Sequence, residues 1–148
     1  MPGFFIFTKS TEMKDIIISS LDMARLRSQI DKARSGGINA PINLNPLIKE
    51  LDRAKVLPPE KMPPDVVTMN SIVKLDYLNS SKTMQIEIVY PRQADTTKRK
   101  ISIFAPVATA LLGYRKGDIV KLEVPGGLAE LRIADIVYQP EAAGDLDL

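Results

Sequence analysis

The sequence predicts an α+β protein in which an N-terminal antiparallel hairpin of two short helices precedes a C-terminal antiparallel sheet wrapped around one short helix. Three observations carry this expectation. Apolar residues recur at helical spacing before residue 58 and at alternate positions after residue 65. Four prolines within residues 58–64 separate the two regimes. The composition, 45% hydrophobic and 26% charged over 148 residues, is that of a globular chain able to build one compact body and a helical appendage.

Residues 1–12 read as an N-terminal extension, with Met13 a candidate internal start; the alternative is a short added strand using Phe4 to Phe7. The hairpin is assigned to residues 13–57. Ser19-Ser20-Leu21-Asp22 has the spacing of a capping box, with Asp in place of the preferred Glu, so the first helix starts near Ser19 or Ser20. Met23, Leu26, Ile30 and Ala33 then form one stripe, Arg25, Arg27, Asp31 and Lys32 fall mostly away from it, and Gly36-Gly37 ends the helix. The second helix starts at Asn45-Pro46, an amide cap followed by Pro, with Leu44, Leu47, Ile48, Leu51 and Ala54 as its apolar face. Residues 58–64 cannot be helix and make a stiff, extended connector.

The sheet body is assigned to residues 65–148. Val73, Leu75 and Tyr77 alternate with polar residues, Asn79–Lys82 is a turn, and Met84, Ile86, Ile88 and Tyr90 alternate in a second strand. Ile101 and Ile103 give a short third strand, and Pro106 to Leu112 a helix of two turns stopped by Gly113. Val120, Leu122 and Val124 lead into the turn Pro125-Gly126-Gly127, from which Ala129, Leu131 and Ile133 return toward Tyr138.

The chemistry is narrowed by what the chain lacks. It has no His, Cys or Trp, and with them go the commonest general base, thiolate nucleophiles, disulfides and the usual zinc ligands. No apolar run approaches the roughly 18 residues of a membrane span. A net charge of +2 is too mild to imply nucleic acid unless the cations cluster. The expectation is a soluble, cytoplasmic protein that is not an enzyme, with no catalytic residue, metal site, cofactor or small-molecule substrate.

Asp65-Val-Val-Thr-Met-Asn-Ser71, Ala105-Pro106-Val107, Ala110-Leu-Leu-Gly113, Gly117-Asp118, Pro125-Gly-Gly127 and Tyr138-Gln-Pro-Glu-Ala-Ala-Gly-Asp145 together resemble the Rnk family, regulators of nucleoside diphosphate kinase related to the Gre transcript-cleavage factors. The resemblance covers nearly everything from Met13 to Leu148. It implies that the sheet body is FKBP-like and that the partner is RNA polymerase, bound in competition with Gre factors at the secondary channel, with nucleic acid touched only indirectly. Gre factors carry an acidic pair at the hairpin tip that helps hold a second Mg²⁺. This chain departs from them: between Asp31 and Glu50 it has no carboxylate, and Mg²⁺ takes hard oxygen ligands. Occupation of the channel without stimulated cleavage is the expectation.

The polymerase-binding candidates are Phe104, Ala105, Pro106, Leu112, Gly113, Pro125 and Gly126, and Ser35, Gly36, Gly37, Ile38 and Asn39 form the hairpin tip; at the first of these sites Gre factors carry Asp-Ser-Pro, so the resemblance carries over only Pro106 of the three directly. Each has a structural alternative. Phe104 is an interface anchor or a core residue, Leu111 and Leu112 are contacts or helix core, Gly113 a contact or a helix stop, and Pro125-Gly126-Gly127 a contact or a plain turn. Arg92 with Lys98, Arg99 and Lys100 forms a basic loop, either a solvated hairpin loop or a contact for an acidic surface or nucleic acid. The tail from Glu141 to Leu148 is a mobile terminus or a docking element. Two other functions stay open. One is a nucleic-acid module, for which interleaved aromatics are missing; the other is an FKBP-type prolyl isomerase, for which the usual aromatic-lined site with a Trp floor is missing.

Overall fold

The computed structural model describes residues 15–36, 44–124 and 126–146. The extension Met1–Glu12 and Met13, the tip residues Gly37, Ile38 and Asn39, and Pro125 lie outside the described residues. Within them the chain is a mixed α+β structure with a curled five-stranded sheet.

A short strand, β1 (Ile17–Ser19), runs directly into helix α1 (Ser20–Gly36). The Ser19 hydroxyl accepts the Asp22 backbone N–H at 3.0 Å, the capping contact that the spacing predicts. Leu26 and Ile30 are buried and Met23 and Ala33 half-buried, so the apolar stripe of α1 stands as read. Helix α2 (Asn45–Arg53) buries Leu47 and Leu51 in the same core. Its N-cap is Leu44 rather than Asn45, with no side-chain capping bond. Arg27 of α1 pairs with Asp52 of α2 at 2.9 Å, but both ends are largely exposed and the pair stabilises by at most about 1 kcal/mol.

After α2, strand β2 (Lys55–Leu57) pairs in parallel with β1, Ile17 opposite Lys55 and Ser19 opposite Leu57. The sequence gives no sign of this pair, because Ile16, Ile17 and Ile18 are all buried and show no alternation, and a three-residue strand is too short for a period. The proline segment also departs from the expected extended connector. Pro59–Lys61 form one turn of 3₁₀-helix, and Met62, 7% exposed, packs with Ile17 and Val66 in a small second core.

The sheet follows as β3 (Ile72–Tyr77), β4 (Thr83–Val89), β5 (Lys100–Ser102), β6 (Ile119–Val124) and β7 (Gly127–Tyr138), in the order β5-β4-β3-β7-β6. Val73, Leu75, Ile86, Ile88, Val120, Leu131 and Ile133 face the core, as their alternation requires. Two register shifts opposite β3 interrupt β7, and such bulges bend and twist a strand, which suits a curled sheet. One pairing differs from expectation: β4 and β5 are parallel, with Glu87 opposite Lys100 and Val89 opposite Ser102. The basic loop between them is therefore a crossover through 3₁₀ turns at Pro91–Gln93 and Thr96–Lys98, not a hairpin loop. Helix α3 (Pro106–Leu111) contributes Ala108 and Leu111 to the main core, and α4 (Pro140–Ala143) closes the described chain.

Gly113 joins the two regions. Its carbonyl accepts the Ile17 N–H at 3.2 Å, and its own N–H donates to the Val67 carbonyl at 2.9 Å. It sits at φ +85°, and a Cβ there would lie 2.7 Å from the Ile16 Cβ. Both the backbone conformation and the close approach demand glycine. Gly113→Ala should cost about 2 to 4 kcal/mol in urea unfolding, whereas Gly117→Ala should cost only about 1 kcal/mol. Gly117 makes the comparison clean, since it shares the positive φ, at +94°, but has nothing within 4 Å of the added methyl. Equal losses at the two positions would refute the packing role of Gly113.

Candidate functional site

Among the described residues no group of acidic side chains could hold a metal ion. The polar residues concentrate instead where the helices meet the sheet. Asp22 starts on α1 and is 4% exposed. The capping-box reading has its carboxylate turn back on the first turn of the helix, but it reaches outward. Its Oδ2 accepts the backbone N–H of Met69 at 3.1 Å and its Oδ1 faces the Tyr90 hydroxyl at 3.5 Å. A signal for this was present in the sequence: Asp22 lies four residues before Leu26 and eight before Ile30, so it stands on the apolar stripe itself.

The second anchor comes from α2. Arg53 bridges Glu50 and the Tyr114 hydroxyl, each at 3.0 Å, next to the Gly113 junction. Burial, and then the Glu50 carboxylate, push the Tyr114 phenol up to about 12, so it stays a neutral hydrogen-bonding group at any physiological pH.

The third set comes from the tail. The Gln139 amide donates to the carbonyls of Pro63 and Val66, both at 2.8 Å, while its oxygen accepts the Ala142 N–H at 3.1 Å and caps α4. Thr68 donates to Glu141 at 2.8 Å. Ser71 Oγ takes the Thr68 N–H at 3.0 Å; because the one Thr68 hydroxyl proton goes to Glu141, Ser71 Oγ donates to Thr68 Oγ1, 2.8 Å away, and the chain of bonds runs Ser71 to Thr68 to Glu141. The Tyr138 hydroxyl bonds to Asp145, and that bond raises the phenol to about 12. Two of the segments that carry the family resemblance, Asp65–Ser71 and Tyr138–Asp145, therefore touch each other, and the first of them also holds α1.

This arrangement sets the protonation of Asp22. Burial, and then the nearby Glu141 carboxylate, push its carboxyl up from 3.8 to about 7, against the pull of the Met69 N–H, Arg25 and Tyr90.

Other expected contact residues are placed as follows. Leu112 is 1% exposed and Gly113 is buried at the junction, so both are packing residues and neither offers a surface. Phe104 is half-buried against the main core, Ala105 is half-buried, and Pro106 and Gly126 are exposed. Ser35 is exposed and its hydroxyl donates back to the Asp31 carbonyl at 2.8 Å, at the end of α1 with Gly36. Arg92, Lys98 and Arg99 are exposed and Lys100 half-buried. The structure links the basic loop, the Phe104–Pro106 corner and the Gly126 turn by no side-chain hydrogen bond or ion pair among the described residues. The residues it does bring together, Asp22, Met69, Thr68 and Glu141, were not singled out as a site from the sequence.

Comparison with known proteins gives this geometry a family. The C-terminal region of the GreA/GreB transcription elongation factors matches residues 62–138, and the Rnk N-terminus matches residues 14–57. The regulator of nucleoside diphosphate kinase from Escherichia coli K12 is 43% identical over 131 residues, spanning 88% of this chain and 94% of that protein. Transcription elongation factor GreA from Pelobacter propionicus is 34% identical over 126 residues, 80% of each chain. Among solved structures, a GreA/GreB elongation factor from Nitrosomonas europaea is 41% identical, with a TM-score of 0.71 over 84% of this chain and 100% of that one. These names describe regulators and factors rather than enzymes.

Because the Asp22 carboxyl is raised in the folded state, the fold binds its proton more tightly than the unfolded chain does. The stabilisation from that proton is complete below about pH 4 and is lost as pH rises toward about 7. Asp22→Asn keeps an acceptor for Met69 and removes the titration, so its stability relative to wild type should improve across this window and level off above it. Asp22→Ala removes the titration as well, so it should follow the same pH slope relative to wild type but lie about 1 to 3 kcal/mol below Asp22→Asn at every pH, through the orphaned Met69 N–H. Chemical denaturation from about pH 4 to 8 checks both; parallel profiles for wild type and Asp22→Asn would contradict the assignment.

Proposed function

Since this chain belongs to the GreA/GreB family of transcription factors, in its Rnk branch, we propose that it is a non-catalytic RNA polymerase-binding regulator that occupies the Gre site at the secondary channel without stimulating transcript cleavage. One observation carries the reading: α1 and α2 are anchored at their base by Asp22 and Arg53, and the chain joining their far ends has no carboxylate. We read the two helices as a short antiparallel hairpin and the sheet body as FKBP-like. At about 1.5 Å per residue, the 17 residues of α1 extend about 25 Å. A hairpin of that length with a tip of small, amide and apolar residues fills space at a channel and offers no oxygen ligand to a divalent cation.

The sheet body would dock through its exposed corner at Pro106, with half-buried Phe104 and Ala105 beside it, and through the exposed turn residue Gly126, which Pro125 precedes in the sequence. The tip comprises Ser35, Gly36, Gly37, Ile38 and Asn39. We place the protein in the cytoplasm, where its partner is, and read the name of the Escherichia coli relative as an indirect, transcriptional effect on nucleoside diphosphate kinase.

Titration of the protein against core RNA polymerase, with and without a competing Gre factor, tests the reading. Saturable binding that a Gre factor displaces is the expected result, and absence of binding at about 50 μM would refute it. On stalled elongation complexes the bound protein should release no more cleaved transcript than polymerase alone.

A further inference from the structure

The charges of the sheet body are distributed unequally. Arg115 pairs with Asp65, Lys116 with Asp135, Lys121 with Glu130 and Arg132 with Asp76. By contrast, Arg92, Lys98, Arg99 and Lys100 form no ion pair among the described residues. Those four cations and one acid, Asp95, lie within ten residues, so the crossover loop carries more positive charge than the whole chain's net +2. The rest of the protein is close to neutral.

Asp95 offsets only one of the four positive charges. Its carboxylate accepts the Thr97 N–H at 3.0 Å and the Thr97 hydroxyl at 2.6 Å, and these bonds, the hydroxyl's foremost, hold its carboxyl below the usual range. The acid caps the turn through Thr97, and Arg92, Lys98 and Arg99 remain exposed.

The loop is also built as a fixed shape. Asp95 and Lys100 exchange two backbone hydrogen bonds, at 2.9 and 3.0 Å. Tyr90 O accepts the Gln93 N–H at 2.9 Å, and Thr96 O accepts the Arg99 N–H at 3.1 Å. Arg99 is held at φ +58°, the left-handed region that a non-glycine residue seldom enters, and its carbonyl accepts the Glu87 N–H of β4 at 2.9 Å. A backbone already fixed in this way loses little entropy when a partner engages its side chains.

We propose that the crossover loop Arg92–Lys100 is an electrostatic docking surface for a carboxylate-rich protein surface. The inference rests on the polymerase reading above and assigns that carboxylate-rich surface to RNA polymerase. Nucleic acid fits less well, because residues 91–100 include no aromatic side chain and the adjacent Tyr90 is 8% exposed, so no platform for base stacking is present. A fixed arrangement of cations suits a fixed constellation of carboxylates.

The test uses the full chain and core RNA polymerase at about 50 and about 300 mM salt. Arg92→Glu with Lys98→Glu reverses two exposed cations whose side chains hold no part of the loop. Lys82→Glu with Lys121→Glu reverses the same charge elsewhere and controls for net charge. The loop variant should bind polymerase about tenfold more weakly at low salt, with the difference shrinking at high salt, while the control variant stays within about twofold of wild type. Thermal melts confirm that both are folded, and anisotropy with short single-stranded and duplex DNA runs in parallel. Equal losses for loop and control variants would overturn the proposal, as would a larger effect of the loop variant on DNA than on polymerase. Failure of the wild-type protein to bind polymerase overturns the polymerase reading together with this inference. Binding that the loop variant leaves intact overturns the loop alone.

Discussion

The segment Val66–Ser71 has no regular secondary structure, yet all six of its residues are buried. Buried backbone N–H groups must find acceptors, and here the acceptors come from nearly every neighbouring part of the chain. Val67 donates to Tyr114, Met69 to Asp22 on α1, and Asn70 to Ile88 on β4; Val66, Thr68 and Ser71 are satisfied close by, by the Pro63 carbonyl, the Ser71 hydroxyl and the Thr68 carbonyl. The reciprocal bonds, Gly113 to the Val67 carbonyl and Ile88 to the Ser71 carbonyl, close the clasp. Asn70 sits at φ +64°, which Asn tolerates better than most residues, and lets the segment turn tightly enough to present its amides in these directions.

This constraint accounts for features that look unrelated along the chain. A carboxylate is buried on α1 because one amide of the loop points there, and the cost of burying it appears as a pKa close to neutrality rather than as a missing bond. Glutamine at 139 supplies two donors and one acceptor in one planar group, which lets a single side chain hold the Pro63 and Val66 carbonyls and cap α4 at once. Glycine at 113 is required because the strand leading into α1 passes against its Cα. Each choice serves the same loop, so loosening the loop would loosen the base of the helices, the proline segment and the tail together.

Much of the architecture was legible because burial imposes a period. The stripe Leu26–Ile30, the alternation Val73–Leu75 and the Pro-to-Gly bounds of α3 follow from one buried face per element. The parallel pair β1–β2 and the parallel β5 were not legible, since three-residue strands carry no period and the sense of pairing depends on how a connection returns. The junction was half legible. Asp65–Ser71 and Tyr138–Asp145 stood out as family motifs, but their mutual contact, over 70 residues of separation, is a tertiary fact that no local pattern encodes. The spacing of Asp22 fits a cap, and only its line with Leu26 and Ile30 marks it as facing inward.

The same geometry bears on how a factor without acidic tip residues could act. A hairpin that contributes no metal ligand must be aimed from its base, because small and apolar tip residues provide few directional contacts. The base here supplies direction from both helices, through a buried carboxylate on α1 and an arginine–tyrosine contact on α2, with a strand pair beneath them. Hydrogen bonds to charged groups are worth about 1.5 to 3 kcal/mol and weaken steeply away from their preferred angle. For the occupying factor proposed above, direction would come from this root, where both helices are held by side-chain hydrogen bonds.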